Sequence, residues 1–178
     1  MKRSLLISLG LLVVAGVAWG QEAPFGMEGT ESIAGSTVSW VSGTYDTGGG
    51  TTSTICFSAA NTSADTEWLS GVTVTFPATW VAACNSQDAA DSGGNAVAFD
   101  CVAATNSVSY TDNDGGYGEV YDGETWGFCV DVTPPAGSWP APQVVSWDIV
   151  GDGWGGEPHT AAGATDIVPV ELMSFSIE

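Results

Sequence analysis

Apolar and polar residues alternate in short runs along most of this chain. The clearest run is Val72-Thr73-Val74-Thr75-Phe76, apolar and polar in strict turn. A period of two turns one face of a strand towards a core and the other towards water. Val145, Trp147 and Ile149 form another such face. Comparable runs cover residues 33–41, 51–60, 71–76, 96–103, 107–110, 118–121, 125–132 and 143–150. Between them stand turn-forming stretches: Gly48-Gly49-Gly50, Asn61-Thr62-Ser63, Gly93-Gly94, Asp112-Asn113-Asp114-Gly115-Gly116, Pro134-Pro135 and Pro140-Ala141-Pro142. No helical period of 3.6 residues follows the first twenty positions. The pattern predicts an all-β domain.

The first twenty residues follow a different rule. Lys2 and Arg3 precede an apolar run over residues 5–17, and Ala18-Trp19-Gly20 sets small residues at the −3 and −1 positions before Gln21. This is the layout of a cleaved secretory signal peptide, and the apolar run is short for a membrane span. The expected organisation is a signal peptide at 1–20, an N-terminal segment at 21–36, a β-sandwich at 37–165 and a C-terminal strand at 166–178. The mature part is the size of one domain with one core.

Export changes the reading of the cysteines. Cys56, Cys84, Cys101 and Cys129 all lie downstream of the leader, and an even number in an exported protein reads as disulfides. Three pairings are open in principle. Side-chain alternation selects among them. Ile55, Phe57 and Ala59 share one face of their run, so Cys56 points outward. Phe128, Val130 and Val132 likewise leave Cys129 outward. Neighbouring strands of one sheet would bring these two together. Cys84 and Cys101 then close a polar loop between two apolar segments. A zinc site would need a close Cys-x-x-Cys spacing, which is absent.

Export also removes the chain's only basic residues. The 178 residues carry two Lys or Arg, 21 Asp or Glu and one His. Loss of Lys2 and Arg3 takes the formal charge from −19 to −21. A domain with neither Lys nor Arg cannot neutralise phosphates, so nucleic acid is excluded as a partner. An anionic membrane surface would repel it, and no membrane insertion is expected after signal cleavage. Divalent cations could offset part of the charge, so Ca²⁺ enters as a candidate but not a required cofactor.

The layout over residues 38–160 resembles immunoglobulin-like modules of bacterial secreted and surface proteins. Seven to nine strands with two disulfides, in an immunoglobulin-like antiparallel β-sandwich, is the expected fold; a jelly roll is the other architecture weighed. Val168-Pro169-Val170-Glu171-Leu172-Met173-Ser174-Phe175 resembles the Pro-Val-Glu-Leu-x-x-Phe strand near the C-termini of many bacterial exported proteins. Val168, Val170 and Leu172 lie on one side of that strand, and Met173, Phe175 and Ile177 on the other. An apolar strand of this kind needs partners on its edges and cover on its faces. It either completes its own sandwich or adds to the sheet of a neighbouring copy, a contact that propagates into a fibre.

The candidate chemistry is sparse. Asp112, Asn113 and Asp114 form an oxygen-rich turn suited to Ca²⁺, although the spacing is not that of an EF-hand; an Asx turn is the alternative. Asp152, Glu157 and His159 flank a Gly-rich stretch and offer a second set of metal ligands. Trp126, Trp139 and Trp154 lie near predicted turns and could stack on sugar rings. Asn61-Thr62-Ser63 is an N-glycosylation sequon by pattern. There is no Gly-x-Ser-x-Gly elbow and no cysteine expected to be free, so no catalytic residue is assigned. The expected function is a self-assembling extracellular structural subunit, a homo-oligomer or filament joined through terminal strands. A secreted carbohydrate-binding module is second and a hydrolase third.

Overall fold

The computed structural model describes residues 32–63, 67–154 and 157–170. The predicted signal peptide lies outside these residues, as do Leu172, Met173, Phe175 and Ile177 of the predicted tail strand.

Among the described residues, nine strands form two antiparallel sheets. In chain order they are β1 (Thr37–Ser42), β2 (Ser53–Ala60), β3 (Leu69–Thr75), β4 (Val81–Gln87), β5 (Phe99–Ala103), β6 (Ser107–Asp112), β7 (Thr125–Thr133), β8 (Gln143–Gly151) and β9 (Thr160–Ile167). One sheet runs β1-β2-β7-β4 and the other β5-β6-β3-β8-β9. The fold is an immunoglobulin-like β-sandwich. Alternation builds it: Ile55 and Phe57 on β2 and Trp126, Phe128 and Val130 on β7 face Val72 and Val74 on β3 and Val145, Trp147 and Ile149 on β8. Phe57 stacks on Phe128 at 5.5 Å between ring centres, and Phe128 on Trp126 at 4.9 Å.

The two disulfides act on different parts of this frame. Cys56 and Cys129 are direct cross-strand neighbours in the centre of the first sheet and are bonded to each other. Cys84 on β4 is bonded to Cys101 on β5, so this bridge ties the edges of the two sheets on one flank. On the opposite flank β1 and β9 carry no covalent tie; there the Trp40 N–H donates to Thr165 Oγ1 at 3.4 Å.

Several boundaries differ from the sequence expectation. β4 is an extra strand: Ala82 is its one fully inward residue and Cys84, two positions on, is only partly covered by the core, so its apolar face is short. β9 is the second. Its inward positions are Ala161, Gly163 and Thr165, small because the Trp147 ring occupies the space above Gly163. The 165/166 boundary therefore falls inside β9, and Ile167, its last residue, is fully buried. Residues 118–121 form no strand and meet the sheet through a single bridge, Leu69 to Val120. The segment before β1 is packed, since Ile33 is fully buried and its N–H donates to Pro158 O at 3.2 Å.

Candidate functional site

The loops fall at the two ends of the sandwich. One end gathers residues 61–63, 67–68, 88–98, 113–124, 152–154 and 157–159. The other gathers 43–52, 76–80, 104–106 and 134–142, together with residues 168–170. All the predicted metal ligands lie at or beside the first end.

That end is stitched together by the run from Gly118 to Val120. The Leu69 N–H donates to Val120 O at 2.9 Å, and the Glu119 N–H to Leu69 O at 2.7 Å. Gly118 makes this approach feasible. Its φ is +100°, and a Cβ there would meet Leu69 O and the Trp68 side chain. The turn drives Glu119 inward, where only 4% of its surface remains exposed.

Glu119 is the residue the sequence reading missed. One carboxylate oxygen from each of Asp112, Asp114 and Glu119 lie within 4.8 Å of one another. A backbone N–H orients each carboxylate. Asp114 N–H donates to Asp112 Oδ1 at 2.9 Å, Gly116 N–H to Asp114 Oδ1 at 2.8 Å, and Ala98 N–H to Glu119 Oε2 at 2.7 Å. Glu119 Oε1 is buried with no hydrogen-bond partner. Burial pushes the Glu119 pKa up, the Ala98 N–H pulls it down, and the charges of Asp112 and Asp114 push it up again; the net direction is upward. Asn113 does not join the cluster, because its Nδ2 donates to Asp100 Oδ1 at 2.8 Å on β5. A glutamate five residues beyond Asp114 was the only available signal, and an abundance of acidic residues hid it.

The second predicted ligand set is arranged differently. Among the described residues, Asp152, Glu157 and His159 do not converge on a common point. Asp152 accepts the Trp154 N–H at 2.9 Å and the Trp68 N–H at 3.5 Å. His159 Nδ1 lies 2.9 Å from Oε1 of Glu67, a fully buried carboxylate on another loop. That hydrogen bond raises the His159 pKa above its ordinary value, against a smaller effect of desolvation. Desolvation raises Glu67 as well, with the His159 contact opposing it. Asp91 shows the opposite outcome at the same end. Burial works against its charge, but the Asn95 side chain and the backbone N–H groups of Asn95 and Tyr121 outweigh it and hold the pKa below its usual value.

The aromatic expectation is corrected at one position. Trp126 is 1% exposed, packed edge-on against Phe99 and Tyr110, and its Nε1 donates to Asp88 O. It faces inward on β7 and cannot meet a sugar. Trp139 is half-buried at the other end, edge-on to Trp80. Trp154 is half-buried and lies 5.5 Å from the exposed ring of Tyr117; Trp68 and Tyr121 form a second such pair at 4.8 Å.

The sequon is corrected too. Asn61 is 1% exposed, and its Nδ2 donates to Glu67 O and Val120 O while Oδ1 accepts from the Ser63 N–H. The amide that glycosylation would modify is buried structure.

At the opposite end, Val170 N–H donates to Tyr45 O at 3.2 Å and Pro169 bridges Tyr45. The chain thus passes from β9 to the side of the other sheet, with Val168 partly buried and Val170 exposed.

No family model matches this sequence, and no curated protein matches it. Among solved structures, the major pilin subunit of Bacillus cereus aligns with a TM-score of 0.48 at 9% identity, over 75% of this chain and 40% of the pilin. This chain thus spans well under half of the pilin's length. The sixth cohesin of scaffoldin B from Acetivibrio cellulolyticus, solved with a dockerin, aligns at 0.41 and 16% identity, over 75% of this chain and 99% of the cohesin. An uncharacterised Nocardia farcinica protein with an immunoglobulin-like fold aligns at 0.36 and 18% identity, over 74% of this chain and 97% of that one. Among the described residues, no helix is long and apolar enough to cross a membrane.

Proposed function

We propose that this protein is an extracellular, non-catalytic structural module that associates with copies of itself through strand pairing. The β9 edge carries this reading. Among the described residues β9 pairs with β8 alone, and β1, whose Trp40 N–H reaches Thr165 Oγ1, packs beside its other edge without joining a ladder. From Thr160 to Thr165 it holds no charge and no proline. Edge strands of soluble proteins are ordinarily blunted by Lys, Pro, bulges or covering loops. A mature chain without Lys cannot use the commonest of these.

Two further features support the reading. The described chain enters at the acidic end, where Ile33 packs against Pro158, and leaves at the aromatic end beside Tyr45. A copy adding through its terminal segment would therefore extend the assembly lengthwise. The segment beyond Val170 also has the composition of a strand with two apolar faces. Two disulfides fit an oxidising, extracellular setting.

The test is electron microscopy and sedimentation of the oxidised protein, of a form lacking residues 171–178, and of Ala162→Lys. Truncation at 171 spares Ile167 and the Tyr45 contact. Filaments or oligomers that disappear in either variant, with the fold intact by circular dichroism, are the expected result. A wild-type protein that stays monomeric at high concentration would overturn the proposal.

A secreted carbohydrate-binding module is the second reading. The Tyr117–Trp154 and Trp68–Tyr121 pairs favour it, since each presents a partly exposed ring at one end of the sandwich. Glycan-array binding that disappears in Trp154→Ala would replace the first reading.

A further inference from the structure

The carboxylates of Asp112, Asp114 and Glu119 are close enough to share one ion, and no basic side chain among the described residues neutralises them. The only basic side chains besides Lys2 and Arg3 would be His159, and its Nδ1 is taken by Glu67. Three carboxylates with oxygens within 4.8 Å repel one another, and the repulsion is felt most strongly by a group removed from water. Glu119 is such a group. Its Oε2 accepts the Ala98 N–H, and its Oε1 is buried without a hydrogen-bond partner; the Asp112 carboxyl within reach of Glu119 is an acceptor too unless one of the two is protonated. A buried carboxylate oxygen without a partner is costly and rare in native folds.

We propose that these three side chains bind a hard divalent cation, Ca²⁺, which ties the β6–β7 loop to the body of the sandwich. The donor chemistry fits: all ligands are oxygens, none is a nitrogen or sulfur, and both aspartates are accessible enough for water to complete the coordination. The Oδ1 atoms of Asp112 and Asp114 accept backbone N–H groups, leaving the second oxygen of each for the ion. Glu119 supplies the anchor from within the fold, on the segment hydrogen-bonded to Leu69. The ion would fix the stretch between Asp114 and Glu119, which includes Tyr117 and so holds that ring against Trp154. Asn113 is not a ligand, and Asp100 instead holds it in place.

The experiment is thermal unfolding and calorimetric titration of the chelator-treated protein with CaCl₂, with NaCl at matched ionic strength as the control. At about 100 times Kd, a single site should raise Tm by about 5–10 °C. Glu119→Gln keeps the shape and the Ala98 contact but removes the charge. It should abolish the Ca²⁺ response and raise the Tm of the metal-free protein. Asp114→Asn, at an exposed position, should weaken Ca²⁺ binding without loss of fold. Asp148→Asn, on the outer face of β8, should leave binding unchanged. Three results would overturn the site: a response reproduced by NaCl alone, a full response retained in Glu119→Gln, or no calorimetric binding with Glu119 found protonated at neutral pH by carboxyl-carbon NMR.

Discussion

The two ends of this sandwich bury their loops by different means. At one end Tyr45, Phe76, Trp80 and Trp139 pack ring against ring, with Trp80 fully buried at 5.0 Å from Tyr45 and 5.6 Å from Trp139. Asp46 is the only carboxylate in the described loops there. At the other end Glu67, Asp91 and Glu119 are buried, and Asn61 and backbone N–H groups hold the loops around them. Ring packing is stabilised by removal of apolar surface from water and depends little on pH. Buried carboxylates depend on each partner being present, and are destabilising where one is missing. One end is therefore built for strength, while the other responds to protons and cations.

Equal substitutions at the two ends should separate them. Trp80→Ala should cost about 3–5 kcal/mol in denaturant unfolding, since it empties a fully enclosed site. Losses of similar size at Trp154→Ala would break the comparison. Asn61→Ala should come next, at about 2–3 kcal/mol, because it removes three buried hydrogen bonds, to Glu67 O, to Val120 O and from the Ser63 N–H. Asn61→Asp, which cannot donate, should be no milder.

The pH response should be smaller and belong to the acidic end alone. His159 is raised above its ordinary 6.5 by Glu67, so the folded protein holds that proton longer than the unfolded chain. Its stabilising contribution is complete below the unfolded pKa and is lost as pH rises through the folded one. Glu67 is raised above 4.5, chiefly by desolvation, and so acts in the same direction at lower pH. Tm measured in chelator should fall as pH rises from mild acid through the range above 6.5. His159→Gln should flatten the upper part of that fall. A Tm that climbs across the same range would contradict the assignment. Trp154→Ala should have the smallest effect, below about 1 kcal/mol, because its ring is only half-covered. Its near-ultraviolet circular dichroism should still change with loss of the Tyr117 contact.

Much of the frame was legible in the chain, for reasons visible at particular residues. Val72 to Phe76 alternates because one face of β3 is solvated and the other is core. The outward placement of Cys56 and Cys129 followed from the same period of two, and the register sets them side by side. The strands that escaped notice, β4 and β9, are edges whose inward positions are small or few. An alternating pattern cannot announce a strand whose core face is Ala161 and Gly163. The site was half legible. Asp112 and Asp114 stood out as a turn, but Glu119 was one acid among many until the Gly118 turn drove it inward. Trp126 stands near a turn in the sequence, but it lies one position inside β7, where parity sends it to the core.

The sequence by itself determined the fold class, the oxidised cysteines and the shortage of basic groups, because periodicity, cysteine number and composition are properties of the chain. The tertiary structure alone decided which carboxylates meet, that Asn61 is structural, and which strands stand at the sheet edges. Those depend on loops distant in sequence arriving at one end of the sandwich, and no local pattern encodes that arrival.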